Sequence, residues 1–163
     1  MGKKSRTYKS WRDKLENPPP GLPKVVTVPA SWAKRMGGRR VLVPTPLLVD
    51  ELIRKVKKGK LITTKQIRAR LAEPFKADTT CPLVTGIHVR IAAEAAEEDL
   101  RNGKKQITPY WRVIGTDGSL NPKLPGGTET QAAKLKQEGH RIAAGKKPPK
   151  VQDFEKALVK LTA

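Results

Sequence analysis

The clearest hydrophobic periodicity lies in the middle of the chain and predicts amphipathic helices there. The first helix begins at Thr45-Pro46, an N-cap followed by proline at the first helical position, and is expected to end in the basic segment 57–59. A second helix over 65–72 follows, capped by Thr63 or Thr64. Both helices present apolar side chains at helical spacing, which predicts one buried face on each.

A third and longest helix is predicted from about 85 to 100, and Asn102-Gly103 is expected to stop it. Its proposed inner positions fall on two lines: Ile87, Ile91 and Ala95, and Val89, Ala93, Ala96 and Leu100. An extended segment over 107–114 follows, with Asp117-Gly118 as a turn. Two helices joined by a short turn, then a third helix and an extended segment, form the order of a winged helix-turn-helix. The expected fold is therefore mainly α with a small β element.

The ends of the chain have weaker patterns. Residues 1–24 are expected to be weakly ordered because three successive prolines cannot enter a helix. Trp11, among basic residues, has two interpretations: stacking on a base, or pinning this segment to the core. Further short elements are expected as strands over 24–28 and 41–43, a helix from Ser31 to Met36, and helices over 129–137 and 152–161. The chain is thus divided into a basic, Pro-rich N-terminal arm (1–45), a central domain (46–140), and a C-terminal linker and helix (141–163).

Charge points to a polyanionic partner. The chain of 163 residues has 34 Lys+Arg against 15 Asp+Glu, a net charge of +19, and the excess is concentrated in the first 60 residues. Such a balance favours nucleic acid, with affinity that falls steeply as salt rises. No stretch of the sequence is apolar enough for a membrane span. A single cysteine, Cys81, excludes an intramolecular disulfide. No metal or cofactor is expected, and a cytoplasmic, nucleoid-associated monomer is the starting hypothesis.

One block carries a family resemblance. Pro109-Tyr110-Trp111-Arg112-Val113-Ile114, followed by Asp117-Gly118 and the paired Gly126-Gly127, resembles the active-site block of the O6-alkylguanine-DNA alkyltransferases, which reads Pro-Cys-His-Arg-Val-Ile. The segment 59–67 resembles that family's approach to its helix-turn-helix, and 138–140 resembles its closing Glu-Gly-His. The resemblance covers about residues 46–140. It implies a winged helix-turn-helix that enters the DNA minor groove and rotates a damaged guanine into a pocket.

The departures from the family pattern argue against alkyl transfer. Tyr110 replaces the acceptor cysteine, and a phenol is a poor nucleophile compared with an activated thiolate. Trp111 replaces the general-base histidine, and its indole N–H donates but cannot accept a proton. Of the family's relay only Glu138 remains, and Thr64 stands where the family has a tyrosine that turns the target phosphate. The chain therefore resembles the alkyltransferase-like branch, which senses damage without repairing it. Cys81 is interpreted as a packing residue.

The candidate site residues fall into three groups. The pocket candidates are Tyr110, Trp111, Arg112, Gly126 and Gly127. The DNA-binding candidates are Lys57, Lys58, Lys60, Thr64, Lys65, Arg68, Arg70 and Arg90, and the structural candidates are Asn102, implied by the resemblance to brace the active-site turn, and Glu138. Tyr110 and Trp111 either stack on an extruded base or fill the space of a lost pocket. Arg112 either contacts the lesion or forms a structural salt bridge or carbonyl clamp. Acidic residues near Arg90 would repel phosphate unless they point away.

Together these features predict a non-enzymatic, alkyltransferase-like protein that binds duplex DNA through the minor groove, with or without a preference for O6-alkylguanine. It would act in or beside DNA repair, where repair proteins are further candidate partners. Two alternatives remain open at this point: an active alkyltransferase that uses another residue, and an architectural or RNA-binding module with a vestigial pocket.

Overall fold

The computed structural model describes residues 7–143, 145 and 147–160, and within them the fold is mainly helical with a small β component, as predicted. The helices are α1 (Trp11–Glu16), α2 (Ala30–Met36), α3 (Pro46–Arg54), α4 (Thr64–Ala72), α5 (Pro82–Arg101) and α6 (Gly127–Gln137). The strands are β1 (Lys24–Thr27), β2 (Arg40–Val43), β3 (Ile62–Thr63), β4 (Thr79–Thr80), β5 (Val113–Ile114), β6 (Ile142–Ala143) and β7 (Lys150–Val151). Short 3-10 turns cover Glu73–Phe75, Tyr110–Arg112 and Phe154–Ala157. None of the helices described is long and apolar enough to cross a membrane.

The strands form three small sheets. In the first, β2 pairs antiparallel with β1 and parallel with β4, which directly precedes α5. In the second, β3 and β5 pair parallel, so that the start of α4 and the segment after Tyr110 lie side by side. The third is the antiparallel hairpin β6–β7. The second sheet therefore brings the beginning of the helix-turn-helix region next to the family-like block.

Helix α5 lies at the centre of the fold, and α1, α3 and α4 pack against it. Its middle is rich in alanine, and these small side chains are fully buried, which lets neighbouring helices approach closely. The expectation that Ile87 and Leu100 face inward is wrong, because they are 48% and 46% exposed. Leu47, one of the apolar residues at the start of α3, is 37% exposed.

Local capping explains where the central helices begin. The Thr45 hydroxyl accepts a hydrogen bond from the backbone N–H of Leu48 at 3.2 Å, as the sequence predicts. Thr63 and Gln66 form a reciprocal capping box at the start of α4. Helix α3 ends at Arg54 rather than in 57–59. After Arg54 the backbone N–H groups bond to carbonyls three residues back instead of four, and Val56 is buried in the core.

Three elements differ from expectation. The segment 107–114 is not a continuous strand, since it contains the 3-10 turn at 110–112 and only the two residues of β5 pair. No α-helix forms over 152–160; a 3-10 turn is followed by backbone pairing of Leu61 with Ala157 and Val159, and residue 161 lies outside the described residues. Ser31 does not cap α2, which begins at Ala30 after Pro29 without a side-chain cap.

From residue 7 onward, the N-terminal segment is built into the domain, contrary to the expectation of weak order; residues 1–6 lie outside the described residues. Helix α1 is capped by Ser10, its Leu15 is completely buried in the main core, and Trp11 packs against that core. Strand β2 lies in the middle of its sheet, with Leu42 fully buried. The second interpretation of Trp11, that it pins this segment to the core, is therefore the one observed.

Candidate nucleic-acid interface

Tyr110, at the position of the family's acceptor, is closed off from solvent. Its side chain is 0% exposed, and its hydroxyl donates a hydrogen bond of 2.5 Å to the Glu97 carboxylate of α5. Burial, together with the hydrogen bond and the negative charge of Glu97, raises the pKa of Tyr110 far above its ordinary value. The residue therefore fills the 3-10 turn at 110–112, called the acceptor turn below, as a neutral phenol. Of its two interpretations, this is the space-filling one.

Glu138 is the centre of a network that holds this turn. Its carboxylate accepts a hydrogen bond of 2.9 Å from the Trp111 indole and two, of 2.9 and 2.8 Å, from the Arg112 guanidinium. Arg112 also donates at 2.5 Å to the carbonyl of Val56. Burial alone would raise the pKa of Glu138, but the hydrogen bonds and charge of Arg112 and the bond from Trp111 outweigh it and lower the pKa. Arg112 thus acts as both a salt bridge and a carbonyl clamp.

Gln131, a residue that the sequence did not single out, fixes the other side of the turn. It is fully buried on α6, and its amide donates to the carbonyls of Trp111 and Val113 at 3.1 and 2.8 Å. Its side-chain oxygen accepts from the backbone N–H of Asn121 at 2.8 Å. The sequence does contain a signal for this role. Gln131 lies four positions before the buried Leu135, on the same face of α6, and a buried polar side chain needs hydrogen-bond partners.

The paired glycines begin α6. Gly126 has a φ of +77°, and a Cβ there would lie 2.2 Å from the Thr130 hydroxyl, so this position requires glycine for both conformation and space. Gly127 has a φ of +70° with open space around it. The two glycines therefore shape the loop that leads into α6.

Trp111 remains the accessible aromatic residue of the turn. It is half-buried, meets Tyr110 edge to face with ring centroids 5.3 Å apart, and carries the Lys134 ammonium 4.8 Å from its ring centre. A cleft of about 310 Å³ is lined by Trp111, Lys58, Lys134, Gln137 and Glu138. A larger cavity, about 800 Å³, lies elsewhere, between α3 and the end of α4.

The expected DNA-binding cations do not share one environment. Five of them are exposed: Lys57, Lys58, Lys60, Lys65 and Arg90. Arg68 is instead held inside the protein, since it donates to the carbonyls of Thr80 and Met36 at 3.0 and 3.1 Å. Its expected contact with phosphate is corrected: it ties α4 to β4 and α2. Arg70 is half-buried and lies 3.9 Å from Glu73, while Thr64 is half-buried at the first position of α4.

The acidic residues of α5 are largely occupied by intramolecular contacts. Glu97 accepts from Tyr110, and Glu98 accepts from the backbone N–H groups of Trp11 and Arg12 at 3.0 and 3.1 Å. Asp99 is paired with Arg12 and, at 3.5 Å, with Lys104. Helix α1 therefore satisfies the Glu98 and Asp99 carboxylates, which the sequence could show only as a source of repulsion.

The N-terminal half of α5 is open. Leu83 is 73% and Ile87 is 48% exposed, and Gly86 and Arg90 are exposed beside them. The exposed residues form one apolar and basic surface on this half of the helix.

Asn102 and Cys81 lie at the two ends of α5. Asn102 is exposed at the C-cap, and within the described residues its side chain makes no hydrogen bond to the 109–114 turn. Cys81 is half-buried before the first residue of α5 and does not cap it. No group of three or more potential metal ligands occurs among the described residues.

The comparison with solved structures shows that the chain shares its fold with two S. pombe structures. The chain is similar to S. pombe Atl1 in complex with damaged DNA containing O6-carboxymethylguanine, with a TM-score of 0.51 and 16% identity over 71% of this chain and 94% of that chain. It is also similar to S. pombe ATL in complex with DNA, with a TM-score of 0.50 and 17% identity over the same shares. No protein-family model matches the chain, and no curated protein is similar to it.

Proposed function

We propose that this protein is a non-enzymatic, alkyltransferase-like protein that binds duplex DNA and senses O6-alkylguanine. In this proposal α4 and α5 act as the helix-turn-helix, and the segment around β3 and β5 acts as the wing. The family resemblance of the 109–127 region and the fold shared with two DNA-bound S. pombe structures support it. The basic N-terminal segment is proposed to form part of the same binding domain, which works as a monomer on cytoplasmic DNA.

The observation that carries DNA binding is the division of charge around α5. Three neighbouring carboxylates, those of Glu97, Glu98 and Asp99, are occupied inside the protein, while Arg90 and the lysines of the 57–65 region stay exposed. An exposed Lys or Arg that reaches a phosphate releases a counterion, so this arrangement favours a polyanion. The contacts to Glu98 and Asp99 come from α1, a segment outside the family-like region, and the contact to Glu97 comes from Tyr110.

The acceptor turn supports the proposal that the protein does not transfer alkyl groups. Nucleophilic attack needs an accessible, activated atom, and the Tyr110 oxygen is buried, protonated and bonded to Glu97. The neighbouring Trp111 cannot act as a base, and Glu138 is saturated by Arg112 and Trp111. Sensing must therefore use a surface other than the Tyr110 ring, and Trp111 is the aromatic residue that the cleft exposes.

The test is a binding titration with two duplexes that differ only in one O6-methylguanine, each at two salt concentrations. We expect a steep salt dependence on both duplexes and tighter binding to the modified one. Lys65→Ala should reduce by about 1 the slope of the logarithm of the binding constant against the logarithm of the salt concentration. Lys136 lies on the α6 surface beside the β6–β7 hairpin, and Lys136→Ala should leave this slope unchanged. Weak, salt-insensitive binding to both duplexes would overturn the proposal.

Two further readouts separate the alternatives. Mass spectrometry of the protein after incubation with the modified duplex should show no added methyl group; a stable adduct would establish alkyl transfer. Equal affinity for the two duplexes would remove lesion sensing and leave general DNA binding, and tighter binding to RNA would favour the RNA-binding module.

A further inference from the structure

Helix α2 carries an aromatic side chain that the core does not use. Trp32 is 49% exposed, and no other aromatic side chain in the described part of the chain is exposed. The Arg35 guanidinium lies 5.4 Å from the centre of its ring. Arg39 follows the helix and donates through Nε to the Val28 carbonyl at 3.2 Å, next to the residues that begin α2. We call Trp32, Arg35 and Arg39 the α2 patch; it lies outside the family-like region.

The helix that carries this patch is anchored to the protein but does not contribute to its core. None of its residues is buried. Gly37, with a φ of +93°, ends the helix, and the Met36 carbonyl accepts a hydrogen bond of 3.1 Å from Arg68. A helix of seven residues without a buried face is not stable by itself. Contacts with the rest of the chain therefore hold it in place, and its solvent-facing side chains are available to a partner.

The positive charges of this segment are not paired with carboxylates. Residues 17–49 contain no Asp or Glu, and their cations are Lys24, Lys34, Arg35, Arg39 and Arg40. In the part of the chain that the structure describes, none of these cations forms a salt bridge. Asp78 comes close, but its carboxylate accepts the backbone N–H groups of Arg39 and Arg40 at 3.0 and 2.9 Å. The side-chain charges are therefore available to an anion.

An exposed tryptophan beside unpaired arginines fits a nucleic-acid strand whose bases are free. A base inside a duplex is stacked on both faces, so a ring on an exposed helix does not reach it, whereas an unpaired base can stack on the ring. Cations beside the ring then contact the backbone phosphates. A protein partner fits less well, because a stable interface buries roughly 800 Å² per partner and α2 exposes a single large apolar side chain.

We propose that the α2 patch is a second nucleic-acid site, which binds single-stranded DNA: Trp32 stacks on an unpaired base, and Arg35 and Arg39 contact neighbouring phosphates. This goes beyond the duplex binding proposed above, because it uses a segment outside the family-like region and a strand without base pairs. The site has no requirement for a particular sequence or lesion, since every base has a face on which an aromatic ring can stack.

The experiment measures binding of the full chain to a labelled oligo-dT of about 15 nucleotides and, separately, to a blunt unmodified duplex. We expect the wild type to bind oligo-dT with quenching of tryptophan fluorescence. Trp32→Ala should lose about 5- to 150-fold in affinity for oligo-dT, with the quenching, and should bind the duplex as the wild type does. Trp32→Phe should retain more of the affinity than Trp32→Ala, because its ring still stacks. Leu100→Ala, which truncates a similarly exposed apolar side chain, is the matched control and should bind both ligands normally.

The charge of the patch has its own test. Arg35→Ala should reduce by about 0.7 the slope of the logarithm of the oligo-dT binding constant against the logarithm of salt, while Lys136→Ala should leave it unchanged. Unchanged oligo-dT binding by Trp32→Ala, or an equal loss for oligo-dT and duplex, would overturn the second site. Tighter binding of an oligo-rU of the same length would overturn its assignment to DNA. Failure of the wild type to bind the duplex, with oligo-dT binding intact, would overturn the proposed function alone.

Discussion

The structural role of Glu138 leads to a prediction about Arg112→Met. The two side chains form an ion pair at 2.8 Å and are 12% and 8% exposed, so removing the guanidinium leaves a buried carboxylate with less compensation. Breaking a buried pair from one side costs about 3–5 kcal/mol. We expect about 3 kcal/mol of unfolding free energy to be lost, the lower end of that range, because Trp111 still donates to Glu138 at 2.9 Å.

The pH dependence of this loss has a defined sign. In the wild type the pKa of Glu138 is lowered on folding, so its contribution to stability is present above the unfolded pKa and is lost as pH falls through the folded value. In Arg112→Met, burial is no longer outweighed and raises the pKa of Glu138, so protonation in acid relieves the unpaired charge. The difference in stability between the two proteins should therefore shrink from pH 7 to pH 4.

The measurement is urea unfolding at both pH values for the wild type, Arg112→Met, Glu138→Gln and the double variant. The double variant should cost less than the sum of the single changes, with a coupling of about 0.5–3 kcal/mol, since the residues are in direct contact. Lys134→Met, which removes a cation from the same Trp111 ring without touching the ion pair, is the control. A loss below about 1 kcal/mol, or one that is the same at both pH values, would refute the reasoning.

Three other predictions concern residues around the candidate interface. Tyr110→Phe should lower the free energy of unfolding by about 1.5–3 kcal/mol, because it leaves Glu97 without its hydrogen bond. Tyr110→Ala should lower it by about 3–5 kcal/mol, because it also leaves a cavity. Urea unfolding measures both losses, and a loss near zero for the alanine variant would show that the ring does not fill the turn. Burial lowers the pKa of His88 to about 4, so stability should fall by up to about 3 kcal/mol as pH drops from 6.5 to 4; His88→Phe should abolish that part of the slope in a pH series of unfolding midpoints. Arg68→Ala should lower the melting temperature, whereas Lys65→Ala should leave it unchanged and weaken DNA binding, and a reversed pattern in calorimetry and titration would contradict their placement.

The sequence was sufficient where structure depends on neighbours along the chain. Thr45 and the pair Thr63–Gln66 cap their helices as expected, because the groups that they satisfy lie within three residues. Helices α3 to α6 and strands β1 and β2 form close to their expected places, and the mainly helical fold with a small β component is as predicted. Helix α1 was missed because the burial of Leu15 against distant helices, rather than local propensity, stabilises six residues.

Only the tertiary structure determines which charged and polar side chains are buried and which groups they contact. In the sequence, Arg68 and Lys65 are both cations of the same predicted helix. In the structure, Arg68 donates hydrogen bonds to carbonyls 12 and 32 residues away, while Lys65 is exposed to solvent. The Glu98 carboxylate accepts hydrogen bonds from α1 residues that lie 87 and 86 positions away in the sequence. The Tyr110 hydroxyl reaches Glu97 only because α5 passes over the turn at 110–112. Hydrogen bonding and burial depend on which groups meet in space, and a linear pattern of residue types does not contain that information.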